Sequence, residues 1–274
     1  RQMCIRDRDT EVGLMDFHRY QVEKEFHDKK AAENDRTDFY TLGVLDKADR
    51  YAYDLLGDLQ GKVILDIGCG NGHHAVKFAE KGGRVYAMDL SSGMVEKAKS
   101  RVKEKGLNDR VKVLQMSAEE LQFPDETFDL VFGHSILHHT NLELTRAQVH
   151  RVLKAGGKGV FLEPLGHNPL INLFRKLTPH RRTPTEKPLR FEEVAFFAQP
   201  FSILRHREFY LLALAALALL PLKRRGTFQR ALNWLSSLDD GLFNRYPTLG
   251  RYAWVIVCLL YTSDAADDLL CVDL

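Results

Sequence analysis

The sequence predicts an α/β fold with a doubly wound, mostly parallel sheet of seven strands. Short apolar runs alternate with amphipathic segments at intervals of about 20–30 residues, which favours parallel βαβ units with helices on both faces. The first apolar run, KVILDIG, leads into a glycine-rich loop directly before a helix. Ligands of such sheets bind beyond the carboxyl ends of the strands, so the residues at those ends are the candidates for a site.

The elements follow in order from local patterns. Two charged helices are expected in residues 9–60, around YQVEKEFHDKKAAEN and LDKADRYAYDLL. In the core, the helix after the second strand has Ser91 or Ser92 as its N-cap and Gly106 past its end. The core strands are predicted as buried apolar runs at 62–68, 84–90, 110–116, 128–134 and 157–164.

The chain changes character after Pro164. Residues 167–190 are broken by prolines and locally basic, which predicts a lid or substrate loop that contains a short helix. Beyond it, we expect two helices before the last strand, in LLALAALALLPL and TFQRALNWLSSLDDGLF. The last two strands are predicted in FSILRHREFY and RYAWVIVCLL.

The apolar stretch 209–222 is too short to span a membrane. Its 14 residues make a helix of about 21 Å, against roughly 30 Å for the hydrocarbon core of a bilayer. Three basic residues follow it. Two interpretations stay open: a buried helix, or an apolar surface that covers a substrate or makes peripheral membrane contact through 209–225.

Both ends of the chain resemble translated sequencing-adapter read-through, and we exclude residues 1–8 and 258–274 from the fold prediction. The rest divides into a helical cap at 9–60, a cofactor-binding core at 61–165 and a lid or substrate region at 166–257. That last region also supplies the final strands of the same domain.

Composition narrows the class of protein. A formal net charge of +2 gives no global attraction for nucleic acid. The four cysteines lack CxxC spacing, which argues against a zinc site or a disulfide scaffold and favours a reducing cytoplasm. We therefore expect a cytoplasmic protein without a metal site or a nucleic-acid partner.

The glycine loop does not fit a dinucleotide. A G-x-G-x-x-G fingerprint that starts at Gly68 requires a third glycine at position 73, which is His73. In addition, Asp66 would repel a pyrophosphate. The loop therefore predicts a ligand that carries positive charge near Asp66.

The pattern D-x-G-x-G-x-G, from Asp66 to Gly72, resembles class I S-adenosylmethionine-dependent methyltransferases. Three further features resemble that family in order and spacing. They are Asp89 at the end of the second strand, the segment SAEELQFPDETFDLVFGHSILHH, and the segment HRVLKAGGKGVFLEP that leads into the fifth strand. The resemblance implies a Rossmann-like methyltransferase fold with S-adenosylmethionine as cofactor. Ser117 departs from the family, in which many members have an aspartate.

The resemblance also implies roles for single residues. The glycines would let the backbone approach the methionine part, whose ammonium Asp66 would hold. Asp89 would bind the ribose hydroxyls, because one carboxylate accepts from two vicinal donors. The expected cofactor contacts are Asp66, Gly68, Gly70, Gly72, Asp89, Leu90, Met94, Ala118, Glu119 and His134.

The acceptor side is less defined by the sequence. A histidine is a suitable base for a phenol, an alcohol or a carbon acid, and several lie at the strand ends. We expect O- or C-methylation of a small, hydrophobic metabolite. An NAD(P)-dependent oxidoreductase and a non-catalytic, cofactor-binding or membrane-associated protein remain as alternatives. The candidate catalytic residues are His134, His138, Glu163 and His167.

Overall fold

The computed structural model describes residues 3–32, 43–179, 182–222 and 225–263. Seven strands within them form one sheet. In chain order the strands are β1 (Val63–Ile67), β2 (Arg84–Asp89), β3 (Val111–Gln115), β4 (Phe128–His134), β5 (Leu153–Pro164), β6 (Ile203–Phe209) and β7 (Val255–Tyr261).

The sheet has the order β3-β2-β1-β4-β5-β7-β6. Strands β1 to β5 are parallel to one another, whereas β7 runs antiparallel to both β5 and β6. The prediction of a mostly parallel, seven-stranded sheet is confirmed. The strand order reverses between β1 and β4, and the carboxyl ends of these strands border the crevice where such sheets bind ligands.

Helices cover the sheet on both faces. They are α1 (Met3–Ala32), α2 (Asp46–Leu56), α3 (His73–Glu80), α4 (Ser92–Glu104), α5 (Leu142–Val152), α6 (Pro169–Leu177), α7 (Phe191–Ala198) and α8 (Arg225–Arg245). Ser91 is the N-cap of α4, and its hydroxyl accepts a hydrogen bond from the Met94 N–H, as predicted. No helix of the described residues is long and apolar enough to cross a membrane.

The strands bury side chains on both faces, which produces two apolar layers. Along β4, Leu130 and Phe132 pack with α2, α3 and α4, whereas Val131 packs with α5 and α7. This alternation follows from the two-residue period of a strand. Since both faces are covered, the polar residues of the core strands concentrate at the strand ends.

The predicted α-helix in LLALAALALLPL is instead a 3-10 segment, Leu212–Leu222. Three residues per turn place Ala213 and Ala216 in the core. The segment packs against α8. This packing supports the buried interpretation, and peripheral membrane contact through 209–225 stays a prediction.

The last strand continues past the predicted end of the natural chain. β7 includes residues 258–261, which are buried or half-buried and pair with β5 and β6. The structure therefore uses four residues that the sequence analysis excluded. Residues 1–2 and 264–274 lie outside the described residues.

Asp239 of α8 holds the start of the 3-10 segment. Its carboxylate is buried and accepts hydrogen bonds from the backbone N–H groups of Leu211, Leu212 and Ala213, at 2.7–3.1 Å. Three backbone donors at the start of a helical segment are thus satisfied by one charged acceptor.

We expect Asp239→Ala to lower the free energy of unfolding by about 3 kcal/mol, because three backbone donors lose their acceptor in a site that excludes water. Asp240→Asn is the control, since Asp240 is about one-third exposed and only pairs with Lys47 and Arg207. The decrease in the free energy of unfolding caused by Asp240→Asn should stay below about 1 kcal/mol. Urea unfolding followed by circular dichroism measures both, and equal losses would contradict the assignment.

Candidate active site

A cavity of about 650 Å³ lies at the carboxyl ends of β1 to β4, beside the reversal of strand order. Its volume is in the range of small-molecule sites. The glycine loop, the strand ends and one face of α1 form its walls. Of the predicted cofactor contacts, those that line it are Gly68, Gly70, Asp89, Leu90, Met94, Ala118, Glu119 and His134.

The glycine loop turns the chain between β1 and α3. Gly68, Gly70 and Gly72 have φ angles of +66°, +52° and +76°, a region that residues with a Cβ rarely adopt. A Cβ on Gly68 would lie 2.7 Å from the Ile136 side chain, whereas Gly70 faces open space. The backbone at Gly70 can therefore come very close to a ligand.

Asp89 connects this loop to α4. Its Oδ2 accepts a hydrogen bond from the Gly70 N–H at 2.9 Å, and its Oδ1 accepts one from the Ser91 N–H at 2.9 Å. Burial raises the pKa of the Asp89 carboxyl. Each oxygen has capacity for a second hydrogen bond, so the group can still accept from the hydroxyls of a ligand.

Asp66 lies behind the loop and does not line the cavity. It accepts a hydrogen bond from the Ala75 N–H of α3, but its Oδ2 has no hydrogen-bond partner among the described residues. Burial, and then repulsion from Asp89, raise the pKa of Asp66 to about 8. A buried carboxylate with an unused oxygen fits a cationic group placed at the glycine loop.

Helix α1 covers the cavity. Arg19 forms an ion pair with Glu119 at 2.8 Å, and the Asp28 carboxylate accepts hydrogen bonds from the Ser91 hydroxyl and the Gly93 N–H. These contacts attach α1 to both sides of the crevice. The α1 residues that line the cavity are Arg19, Tyr20, Glu23, His27 and Lys30.

His134, at the end of β4, lines the cavity and contacts α2. Its Nε2 lies 3.0 Å from Asp49 Oδ1, and its ring stacks on His74 with 4.9 Å between centroids. His74 Nδ1 is in turn hydrogen-bonded to the Tyr53 hydroxyl at 2.7 Å. The sequence analysis missed this role of α2, although Asp49 and Tyr53, four residues apart, lie on one helix face.

Glu163 and His138, two of the predicted catalytic residues, contact each other at the end of β5 and in the loop after β4. Glu163 Oε1 accepts hydrogen bonds from the Ile136 and Leu137 N–H groups, and its Oε2 lies 2.7 Å from His138 Nδ1. Both side chains are buried, and neither lines the cavity. Their polar groups bind each other and the backbone of the loop after β4, so a catalytic role of either residue stays a prediction.

Two further predicted residues lie outside the cavity wall. His167 Nε2 accepts a hydrogen bond from the Phe191 N–H at 3.2 Å, which fixes the start of α7. Gly72 is the N-cap of α3, and a Cβ there would lie 3.0 Å from Ala98 of α4. The catalytic role of His167 therefore stays a prediction, and Gly72 allows α3 and α4 to approach.

The sequence analysis also missed three cavity residues, Glu23, His27 and His139. The spacing of Glu23 and His27, four apart on a predicted helix, was the available signal. What the sequence does not give is the position of α1 over the end of β4, which brings both residues to His139.

The comparisons with known proteins agree with this geometry. Residues 64–157 match a family model described as a methyltransferase domain. The ubiquinone/menaquinone biosynthesis C-methyltransferase of Psychromonas ingrahamii is 31% identical over 142 residues, which cover 50% of this chain and 57% of that protein. Its counterpart in Hydrogenovibrio crunogenus is 34% identical over 130 residues, 46% of this chain and 51% of that protein. The chain thus spans about half the length of these relatives.

Solved structures share the fold. Phosphoethanolamine N-methyltransferase 2 of Haemonchus contortus, in complex with S-adenosylhomocysteine, has a TM-score of 0.59 and 21% identity, over 88% of this chain and 59% of that chain. Magnesium protoporphyrin IX methyltransferase of Synechocystis, with bound S-adenosylhomocysteine, has a TM-score of 0.55 and 15% identity, over 96% of this chain and 100% of that chain.

The family match covers the glycine loop and the parallel part of the sheet. It begins in β1, includes the glycine loop and Asp89, and ends in β5. The order of these elements is the one expected from the sequence pattern. Residues 64–157 therefore match a methyltransferase domain, and the fold is shared with solved methyltransferases that hold S-adenosylhomocysteine.

Proposed function

We propose that this chain transfers a methyl group from S-adenosylmethionine to a small, apolar metabolite, at an oxygen or a carbon atom. The observation that carries the proposal is the buried Asp66 carboxylate. Its Oδ2 has no partner among the described residues, and it lies beside a loop whose backbone a ligand can approach. The ammonium of the cofactor's methionine part supplies the charge that this oxygen lacks.

The other cofactor contacts follow from the cavity wall. Asp66 holds the ammonium directly or through a water molecule, and Asp89 accepts from the ribose hydroxyls with its remaining capacity. Gly68 and Gly70 admit the methionine part. The adenine packs against apolar side chains at the ends of β2 and β3, where Glu119 borders it: Leu90, Met94, Met116 and Ala118.

The acceptor lies on the side of the cavity near His134. The cofactor supplies a sulfonium methyl that is displaced in line, so the chain must hold the acceptor atom about 3–3.5 Å from that methyl. His134 contacts the acceptor there, while Asp49 fixes the orientation of its ring. Ile136 adds apolar surface.

An apolar acceptor is supported by two independent observations. The curated relatives are named for ubiquinone and menaquinone biosynthesis, whose products are lipophilic. In addition, α6 exposes apolar side chains at Leu170, Leu173, Phe174 and Leu177, the spacing of one helix face. Lys176 lies exposed on the same short helix. We infer that α6 makes peripheral contact with a membrane that holds the acceptor.

Replacing Asp66 tests the cofactor site. We expect Asp66→Asn to weaken binding of S-adenosylhomocysteine, which carries the same ammonium, by about 30-fold or more, because a buried charge pair is lost. Calorimetric titration measures the affinity, with exposed Asp109→Asn as the control. NAD is titrated in parallel. Binding of NAD in place of S-adenosylhomocysteine would favour the oxidoreductase alternative and refute the proposal.

The raised pKa of Asp66 predicts a pH dependence. Below about pH 8 the ligand-free carboxyl is protonated and must release its proton to pair with the ammonium. The dissociation constant of S-adenosylhomocysteine should therefore rise as pH falls from 8 to 6, by up to about tenfold per pH unit. Asp66→Asn should flatten this slope, and an unchanged slope in that variant would assign it to another group.

The raised pKa of Asp66 also predicts that stability depends on pH, in the direction opposite to ligand binding. The folded pKa lies above the unfolded value of about 4, so the folded state binds an extra proton between these values and stability falls as pH rises through that window. Without ligand, Asp66→Asn should therefore have a higher unfolding temperature than the wild type at pH 8. Differential scanning calorimetry at pH 5 and pH 8 checks that the increase in unfolding temperature from wild type to Asp66→Asn is larger at pH 8.

Membrane contact through α6 is tested with vesicles. Leu170 and Leu177 are 72% and 71% exposed, and Leu170→Ser/Leu177→Ser should reduce co-sedimentation with anionic phospholipid vesicles by about tenfold or more. Trp234→Ser is the control, because this residue of α8 is 64% exposed. Equal binding of both variants, or no binding by the wild type, would exclude α6 as the contact.

A further inference from the structure

Three potential metal ligands meet where α1 crosses the loop after β4. Glu23 and His27 lie one turn apart on α1, and His139 ends a 3-10 turn, Leu137–His139. One ligand atom from each lies within 4.8 Å of the other two. All three residues line the cavity, so an ion bound between them would face a ligand in it.

The buried atoms at the centre of this cluster have few partners. Glu23 Oε2 and His139 Nδ1 form an ion pair at 2.9 Å, and His27 Nε2 lies 3.8 Å from the same oxygen. Both Oε2 and Nδ1 are buried, and no other group of the described residues gives either atom a hydrogen bond. Neighbouring ligands of one tetrahedral ion, each about 2.1 Å from it, are separated by about 3.4 Å. The two distances lie on either side of that value, so small side-chain shifts would allow the three groups to share one ion.

The other oxygen of Glu23 is held in place. Oε1 accepts hydrogen bonds from the hydroxyls of Thr183 and Thr185, at 2.7 and 2.5 Å. The Glu23 side chain is only 4% exposed. Metal sites commonly fix a ligating carboxylate in this way, with one oxygen on the ion and the other on neighbouring donors.

We propose that Glu23, His27 and His139 bind a divalent transition metal ion that has open coordination positions toward the cavity. Two imidazoles and one carboxylate suit Zn²⁺ or Fe²⁺ rather than Mg²⁺ or Ca²⁺. The role rests on the proposed function: the ion takes a hydroxyl oxygen of the methyl acceptor as a further ligand. Binding lowers the pKa of that hydroxyl, whose proton leaves to solvent and whose oxygen becomes the nucleophile.

A second group, His138, His139 and Glu186, is less suited to hold an ion. Glu186 pairs with Arg182, whose charge opposes a cation, and neither His138 nor Glu186 lines the cavity. The proposal replaces the expectation of no metal, because the sequence does not place α1 against the loop after β4.

Cobalt binding tests the site without using activity. Protein free of any affinity tag is treated with a chelator, dialysed and titrated with Co²⁺, which is followed by its visible absorption and by calorimetry. We expect one Co²⁺ per wild-type chain, and an affinity that falls by about 100-fold or more in Glu23→Gln and His27→Ala. Thr185→Val should lower the affinity by about tenfold, because it frees the carboxylate to rotate.

His206→Ala is the matched control. His206 also pairs with a glutamate, Glu208, but on β6 and away from the cavity wall. Its Co²⁺ affinity should equal that of the wild type. Thermal unfolding identifies any variant that fails to fold, in which case Thr185→Val decides. The proposal is overturned if the wild type binds no Co²⁺, or if Glu23→Gln and His206→Ala bind it equally; Glu23 and His139 would then form a metal-free proton-transfer pair.

Titration with S-adenosylhomocysteine separates this proposal from the proposed function. Glu23→Gln should lose Co²⁺ but keep its affinity for S-adenosylhomocysteine, because Glu23 is held by His139, Thr183 and Thr185 and by none of the proposed cofactor contacts. Failure of Co²⁺ binding with intact S-adenosylhomocysteine binding overturns the metal site alone. Failure of S-adenosylhomocysteine binding to the wild type overturns the proposed function.

Discussion

The carboxylate of Asp89 organises the crevice. It holds the Gly70 N–H on one side and the Ser91 N–H on the other, so the glycine loop and the start of α4 have a fixed separation. The Ser91 hydroxyl then donates to Asp28, which attaches α1 over the cavity. A series of polar contacts thus links the glycine loop to α1, on the opposite side of the cavity. Because Asp89 is half-buried, competition with water weakens these bonds less than at a fully exposed site.

Much of the fold follows from local sequence. Apolar runs of strand length, N-cap serines and glycines past helix ends are short-range signals, and α4 has all of its predicted features from Ser91 to Gly106. The glycine loop could be placed because its turn requires positive φ at Gly68, Gly70 and Gly72. Where a single stretch of chain decides the geometry, sequence patterns are sufficient.

The remainder depends on contacts between distant parts of the chain. Nothing in the sequence near His139 indicates that Glu23 and His27 approach it, because α1 reaches the site from more than 100 residues away. Glu163 is an acid at a strand end, yet it binds the backbone of the loop after β4. Similarly, LLALAALALLPL has the composition of an α-helix, but Asp239 and packing on α8 hold it as a 3-10 segment. Composition cannot predict which of its neighbours a polar group will satisfy.

The buried position of Asp66 has a consequence for the lifetime of the protein. An acid that burial makes costly to ionise lowers the stability of the ligand-free chain near neutral pH, and a bound cation offsets that cost. Any ligand that binds only the folded state also shifts the population away from unfolded molecules, which proteases remove. Under the proposed function, abundance of the chain is thereby linked to the supply of the methyl donor, so a cell depleted of that donor would retain fewer copies of the chain.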